Sequence, residues 1–299
     1  MKKNIIHVRS KDGLQLTNGY NTNFTINLKQ PIECLNDEEI HVKVISAEIP
    51  FTFYCISQYL NNNRFDYDNT FYNLPDKNYD IEELLRELND NTPFTVSHNE
   101  YTNKLTFTNE DTINHKINIE FCTCAKALGL QLDGAVYTIL PNNSLTTKGI
   151  VDLATVHSLL IRSDLASGNV QSSNNGNSTI LQKVSVDVNP YDIIYLTDND
   201  YRTTSVIKKN IIDTITFLII DQNNTLVNLN DINFEFSLEI SIVKNEVLNT
   251  RRIEQAIQPL PIQQVQTPQV SNKEVDEPQE EENPVYATQE SLLDLLLED

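Results

Sequence analysis

The sequence predicts a mainly β fold, an antiparallel sandwich or a barrel, with a small inserted or lateral α/β element. Three observations carry this expectation. Apolar runs alternate with polar residues at period two, turn residues separate them at short intervals, and only one helical pattern is strong. Many short strands with few helices indicate a sandwich or a barrel. A length of 299 residues suits one such body plus an appendage.

Along the chain, Ile5–Val8 is the first apolar run, and Lys11-Asp12-Gly13 turns after it. Phe24, Ile26 and Leu28 alternate with Thr25 and Asn27. Ile40, Val42, Val44 and Ser46 alternate with His41, Lys43 and Ile45, and the run continues to Ile49, where Pro50 removes a ladder donor. Further strand runs are Phe94–Val96, Leu105–Thr108, Ile117–Phe121, Leu159–Ile161, Ile180–Val188, Ile193–Leu196 and Ile215–Ile220. The last, Phe234–Val243, places Phe234, Phe236, Leu238, Ile240 and Ile242 against Glu235, Ser237, Glu239 and Ser241, so one face is buried and one is wet. Asn61–Asn63 and Asp221–Asn224 supply turns.

One helix is well specified. Asp80 and Glu83 have the spacing of a capping box, and Ile81, Leu84, Leu85 and Leu88 fall on one face. Asn89, Asn91 and Pro93 end it. A second, short helix is expected over Cys124–Leu128, with Gly129 as its left-handed terminator. These helices place the α/β element at about 75–150, within a body spanning 1–249. The polar segment Ala166–Asn177 reads as a loop on the rim.

Composition changes near residue 250. Residues 251–299 hold 3 basic and 11 acidic residues and five of the 11 prolines. Such a stretch buries too little apolar surface to offset its ordering entropy, so 250–299 is expected to be a disordered acidic tail. It ends in an apolar patch. Leu292, Leu293, Leu295 and Leu296 would share one helical face, which makes them the candidate partner-binding residues; the plainer alternative is a self-repelling, solubilising appendage.

Several function classes are disfavoured. The chain carries a net charge of -20, and its basic clusters are only the pairs Lys2-Lys3, Lys208-Lys209 and Arg251-Arg252, so direct nucleic-acid binding is not expected. The seven glycines form neither a dinucleotide fingerprint nor a phosphate loop. No apolar run approaches a membrane span, and the start MKKNIIHVRS turns polar too soon for a signal peptide, so we expect a chain that stays in the cytosol of the cell that makes it. In that compartment Cys34, Cys55, Cys122 and Cys124 are expected to be free, mostly buried thiols.

Catalytic and metal signatures are weak. No His within a predicted helix is joined to another His or to a carboxylate at the i, i+4 spacing of a metal site, and there is no Gly-x-Ser-x-Gly elbow. Asp198-Asn199-Asp200 has Ca²⁺-ligand chemistry, but Asx-rich turns more often cap their own backbone. We expect no enzyme, no metal and no cofactor.

The order of blocks carries more information. Phe24-Thr-Ile-Asn-Leu28 precedes Pro31-Ile32, and a long strand then ends in Ser46-Ala-Glu-Ile-Pro50-Phe-Thr-Phe-Tyr-Cys-Ile56, followed by Asn61-Asn-Asn-Arg-Phe65. Asn78-Tyr-Asp-Ile-Glu-Glu-Leu-Leu-Arg-Glu-Leu88, Ala125-Lys-Ala-Leu-Gly129, Leu159-Leu-Ile-Arg-Ser-Asp164, Ile180-Leu-Gln-Lys-Val184 and Ile215-Thr-Phe-Leu-Ile-Ile-Asp221 follow. This order, over about 1–245, resembles the minor capsid (penton) proteins of virophages and polinton-like viruses, and the 37 Asn with abundant Ile suit an AT-rich viral genome. The resemblance implies a jelly-roll body, an antiparallel two-sheet β-sandwich, in a structural virion protein whose homopentamers close the five-fold vertices of an icosahedral capsid beside a separate major capsid protein, after synthesis in the host-cell cytoplasm. The tail has no part in it. A second reading from another class is a β-sandwich recognition module, such as a tail-fibre or glycan-binding domain, using Tyr54, Tyr59, Tyr67 and Tyr72 around the Asn61–Asn63 turn; the absence of Trp weighs against it. A third is a hydrolase with a dispersed site.

Overall fold

The computed structural model describes residues 2–17, 19–131, 136–166, 170–172, 176–197, 204–207 and 209–244. The acidic tail with Leu292, Leu293, Leu295 and Leu296, and Asp198-Asn199-Asp200, lie outside the described residues. In chain order the strands begin with β1 (Lys2–Arg9), β2 (Leu14–Thr17), β3 (Tyr20–Glu33) and β4 (Glu38–Pro50). A middle group contains β5 (Arg64–Tyr67), β6 (Thr70–Asn73), α1 (Ile81–Asn91), β7 (Thr95–Asn99), β8 (Lys104–Thr108), β9 (His115–Asn118), β10 (Val136–Ile139) and β11 (Ser144–Thr146). The last group is β12 (Ser158–Ser163), β13 (Val170–Ser172), β14 (Gly176–Ser178), β15 (Ile180–Ser185), β16 (Ile193–Thr197), β17 (Ser205–Ile207), β18 (Ile211–Asp221) and β19 (Glu235–Lys244).

Two sheets form the body. The first has the order β1-β19-β4-β16, with β17 also paired to β4, and the second has the order β15-β12-β18-β3-β2. Every pairing within them is antiparallel. Among the eight principal strands taken in chain order (β1, β3, β4, β12, β15, β16, β18, β19), the first sheet holds the first, eighth, third and sixth. The second sheet holds the fifth, fourth, seventh and second. Two interlocked Greek keys of this kind are a jelly roll, as the resemblance in block order implies.

One face of each sheet is apolar, and the two faces meet in a filled core. Phe24 of β3 packs on Phe217 of β18 at 5.6 Å between ring centroids, and Phe217 meets Phe236 of β19 edge-on at 4.9 Å. Ile40, Val42 and Val44 of β4 and Ile215 and Ile219 of β18 complete this layer at zero exposure. The alternation expected over β4 is interrupted. The register against β19 shifts so that Ser46 lies opposite Ser237 but Val44 lies opposite Leu238, leaving Ile45 as a bulge. The phase reverses there, so Ala47 and Ile49 face the core and Ser46 does not.

The middle group is inserted between the third and fourth principal strands and has its own core. Its sheets run β10-β9-β5-β6 and β11-β8-β7, with α1 beside β7. Phe65 stacks on Phe107 at 5.6 Å, and Phe94 meets both rings edge-on. Ile56 already belongs to this core and Leu153 still packs on it, so the α/β element extends beyond the expected 75–150 at both ends. The physical reason is the β5–β6 hairpin, which pairs with β9 and buries Phe65 ahead of residue 75.

The expected capping box is present. The Glu83 N–H donates to Asp80 Oδ1 at 2.7 Å, and the Asp80 N–H faces Glu83 Oε2 at 3.5 Å. The expected helix over Cys124–Leu128 is a single turn, with one i to i+4 bond from Leu128 N to Cys124 O. It ends as a Schellman motif, in which Leu130 N donates to Ala125 O and Gly129 N to Lys126 O. Gly129 has φ of 73°, and a Cβ there would sit 2.6 Å from Gly149 O, so both conformation and close backbone approach require glycine. The expected loop Ala166–Asn177 contains parts of the paired strands β13 and β14.

Phe217 touches both sheets' aromatic layers, so its truncation tests the sandwich directly. Phe217→Ala should lower unfolding free energy by about 3–5 kcal/mol, measured by urea denaturation. A loss under 1 kcal/mol would mean that this interior is not close-packed.

Candidate functional site

The four tyrosines expected as a stacking surface do not form one: Tyr54 and Tyr59 share a small cavity, while Tyr67 and Tyr72 pack on the insertion's core. Tyr59 lies beside Tyr20 at 5.4 Å between centroids, and its hydroxyl donates to Leu226 O at 2.6 Å. Tyr67 donates to Asn91 O and stacks within the insertion's aromatic cluster, and Tyr72 donates to Glu87 Oε2 at 2.6 Å. Burial raises Tyr59 and Tyr72 to about 12, helped by Tyr20 in the first case and by Glu87 in the second. These rings are anchored to protein. Tyr54 and Tyr59 line a cavity of about 60 Å³ with Leu226 and Asp221, against roughly 300–1,000 Å³ for small-molecule sites. Asp221 itself is buried and is used by its own turn, accepting from Asn223 N and Thr225 N, each at 2.8 Å.

The histidines and cysteines are also placed. His7 bonds Ser237 Oγ at 2.9 Å on the outer face of the first sheet, His98 bonds Asn103, and His157 sits 3.3 Å from Asp152. His41 lies 3.7 Å from Glu39. Cys55, Cys122 and Cys124 are buried thiols and Cys34 is half-buried. Cys122 and Cys124 lie side by side at 3.6 Å between sulfurs, where the chain enters the turn that ends at Gly129. Burial pushes Cys55 up to about 11 and Cys124 well above the ordinary thiol value. Among the described residues there is no group of three or more His, Cys, Asp or Glu arranged to hold a metal.

Among the described residues, charge concentrates at a site that no local sequence motif marks. His115, buried at the start of β9, stands between two carboxylates, with Nδ1 2.5 Å from Asp68 Oδ2 and Nε2 2.7 Å from Asp111 Oδ2. A carboxylate can only accept, so both ring nitrogens must donate, and the ring is an imidazolium. Burial pulls the His115 pKa down, but the hydrogen bonds and charges of Asp68 and Asp111 outweigh it and the net shift is upward. Asp68 is held by its position in the β5–β6 turn, where φ is 47° and its Oδ1 accepts Lys116 N at 2.7 Å. Asp111 and His115 are four apart in sequence, but on a turn entering a strand, where a helix-based spacing search does not look. Because both nitrogens are taken, the ring is a clamp across the insertion rather than a metal ligand or general base.

The exposed side chains carry the remaining pattern. On the first sheet's outer face, Arg9, Glu235, Glu48 and Tyr195 lie in register across β1, β19, β4 and β16, with Ile193 opposite Pro50 in the next row. Arg9, Glu235, Glu48 and Ile193, with Lys11 and Asn233, border an open cleft of about 280 Å³ at one end of this face. Nothing in the sequence alone distinguished Ile193 and Tyr195 from core positions, because a strand's faces are told apart only by its neighbours.

No family model matches the sequence, and no curated protein matches it. A solved structure of the mavirus penton protein is similar over 81% of this chain and 100% of that one, with 12% identity and a TM-score of 0.46. The jelly-roll assignment rests on the strand order above. No helix among the described residues is long and apolar enough to cross a membrane.

The clamp makes stability depend on pH. A folded-state pKa raised above 6.5 stabilises fully below that value and is lost as pH rises through the raised value. The melting temperature should therefore fall from pH 6 to pH 9, and by less in His115→Gln, as followed by circular dichroism. Equal slopes in the two proteins would show that the ring is not charged in the folded state.

Proposed function

We propose that this chain is a minor capsid protein, a penton subunit of a virophage or polinton-like virus, five copies of which close each five-fold vertex of an icosahedral shell. The observation that carries the reading is the complete eight-strand jelly-roll order, with an interior filled by Phe24, Phe217, Phe234 and Phe236 rather than opened into a ligand chamber. The resemblance in block order, drawn from the sequence over about 1–245, supports the same reading. A single sandwich built this way offers its outer faces and edges for contact. A net charge of -20 favours protein neighbours over nucleic acid. The neighbours are further copies of the chain and a separate major capsid protein, and the place of action is the virion vertex.

The glycan-binding alternative draws no support from the geometry, because Tyr59, Tyr67 and Tyr72 are committed to protein partners. The role is structural and involves no reaction of the chain's own. The tail at 250–299 acts as an acidic tether whose Leu292, Leu293, Leu295 and Leu296 dock on another virion or host protein. Five tethers on one ring would raise effective concentration at that partner without any new contact.

Two experiments test this. Purified chain should sediment as a species of five chain masses, and negative-stain class averages should show five-fold symmetry. A monomer at micromolar and higher concentrations would sink the penton reading. Deleting residues 288–299 should leave the pentamer intact but reduce incorporation into, or infectivity of, assembled particles. Unchanged particles would assign the tail to solubility alone.

A further inference from the structure

The sandwich has two lateral sides, and they differ in kind. Ser10–Asp12 joins β1 directly to β2, so the first sheet's edge at β1 and the second sheet's edge at β2 lie on one side. Residues 186–192 join β15 to β16, so the two opposite edges lie on the other. Each of these strands pairs on one flank only among the described strands, which leaves backbone donors and acceptors available.

Charge divides between the sides. Residues 2–17 contain Lys2, Lys3, Arg9 and Lys11 against a single acid, Asp12, in a chain of net charge -20. All four cations are exposed. On the other side, the described residues 180–197 carry Asp187 and Asp192 against Lys183, all three exposed, so the basic excess of the first side is absent there. Both sides also hold large apolar side chains in solvent. Leu14 is 70% exposed, and Ile5 and Leu16 are more than half exposed; opposite them Tyr191 and Tyr195 are 72% and 67% exposed, with Ile193 between them. Tyr191 adds a conformational sign. Its φ is 74°, a left-handed value that costs an aromatic residue, yet it is pinned there by its own N–H to Phe51 O at 2.8 Å and by Asp192 N to Asn189 O at 3.1 Å.

We infer that the β1–β2 side of one copy docks against the β15–β16 side of the next, which rests on the ring reading above and supplies its contact. Like charge sets the first side against itself: two β1 edges carrying Lys2, Lys3 and Arg9 repel, whereas Asp187 and Asp192 offer them partners. Opposite sides attract, and the apolar residues become buried between them. The contact is heterologous, with a different patch from each partner, which is the kind that generates a closed ring when the rotation permits. The lysines on β1 thus act as a guard against wrong edge pairing as well as a steering charge.

The test uses two double variants of the full chain, Ile5→Asp with Leu14→Asp on one side and Ile193→Asp with Tyr195→Asp on the other. The single variants Leu14→Asp and Tyr195→Asp are run in parallel as the milder forms. All these positions are exposed, and circular dichroism melts report folding. Each double variant alone should sediment as a monomer, its self-association weakened by about a hundredfold or more. Mixed in equal amounts, the two should form a one-to-one dimer, because one intact patch of each kind remains. Rings persisting in either double variant, or folded variants that stay monomeric on mixing, would overturn the assignment of surfaces while leaving the ring itself standing. A wild-type chain that never assembles would overturn both.

Discussion

Everything in the body follows from the need of each sheet to cover one apolar face. A sheet with period-two alternation has a wet side and a dry side, and the dry side is stable only against another such surface. Here the two dry faces are those of β4 and β19 on one sheet and β3, β12 and β18 on the other, closed by the rings of Phe24, Phe217 and Phe236. The jelly-roll connectivity is one way to bring strands from both ends of the chain into that arrangement: β1 at the N-terminus pairs with β19 some 230 residues later, along their whole length.

The same requirement operates a second time in the insertion, with a smaller core and more polar help. Phe65, Phe94 and Phe107 cover two short sheets and one helix, while the ends are secured by side chains: Asn89 bonds the backbone of Val96 in both directions, and His115 ties Asp68 to Asp111. In a protein with so large an excess of acid, a cation placed between two carboxylates offsets part of the mutual repulsion that would otherwise loosen the turn regions. The surplus of negative charge is thereby arranged rather than diluted: it is neutralised inside the insertion, interrupted by base along β1 and left open beside β16.

Much of this was legible beforehand because strong local signals were present. The capping box at Asp80 and Glu83, the terminator Gly129 and the alternation of Phe234–Val243 are each specified within a few residues. What stayed hidden depends on partners. The bulge at Ile45 is invisible without β19 opposite it. The β5–β6 hairpin turns on Asp68-Asn69, both at positive φ, but this pair sits in a stretch where Asn and Asp are too common to stand out. β3 continues through Pro31 to Glu33 because a register irregularity against β18 removes the need for the missing donor, a tolerance that no single-chain pattern shows. His115 illustrates the same limit for chemistry, since its first partner lies 47 residues away.

The route of the chain into and out of the insertion has its own consequence. Phe51, Phe53 and Cys55 still pack in the sandwich, Ile56 in the insertion, and on the return Val151 lies in the insertion and Val156 in the sandwich. The two crossings meet: the Cys55 carbonyl accepts from both Asn62 and Thr155. A segment of about a hundred residues therefore departs and rejoins at one point, carrying a hydrophobic interior that owes little to its host. Such a segment behaves as an exchangeable cassette. Its length or sequence can change without altering a side chain of the sandwich core.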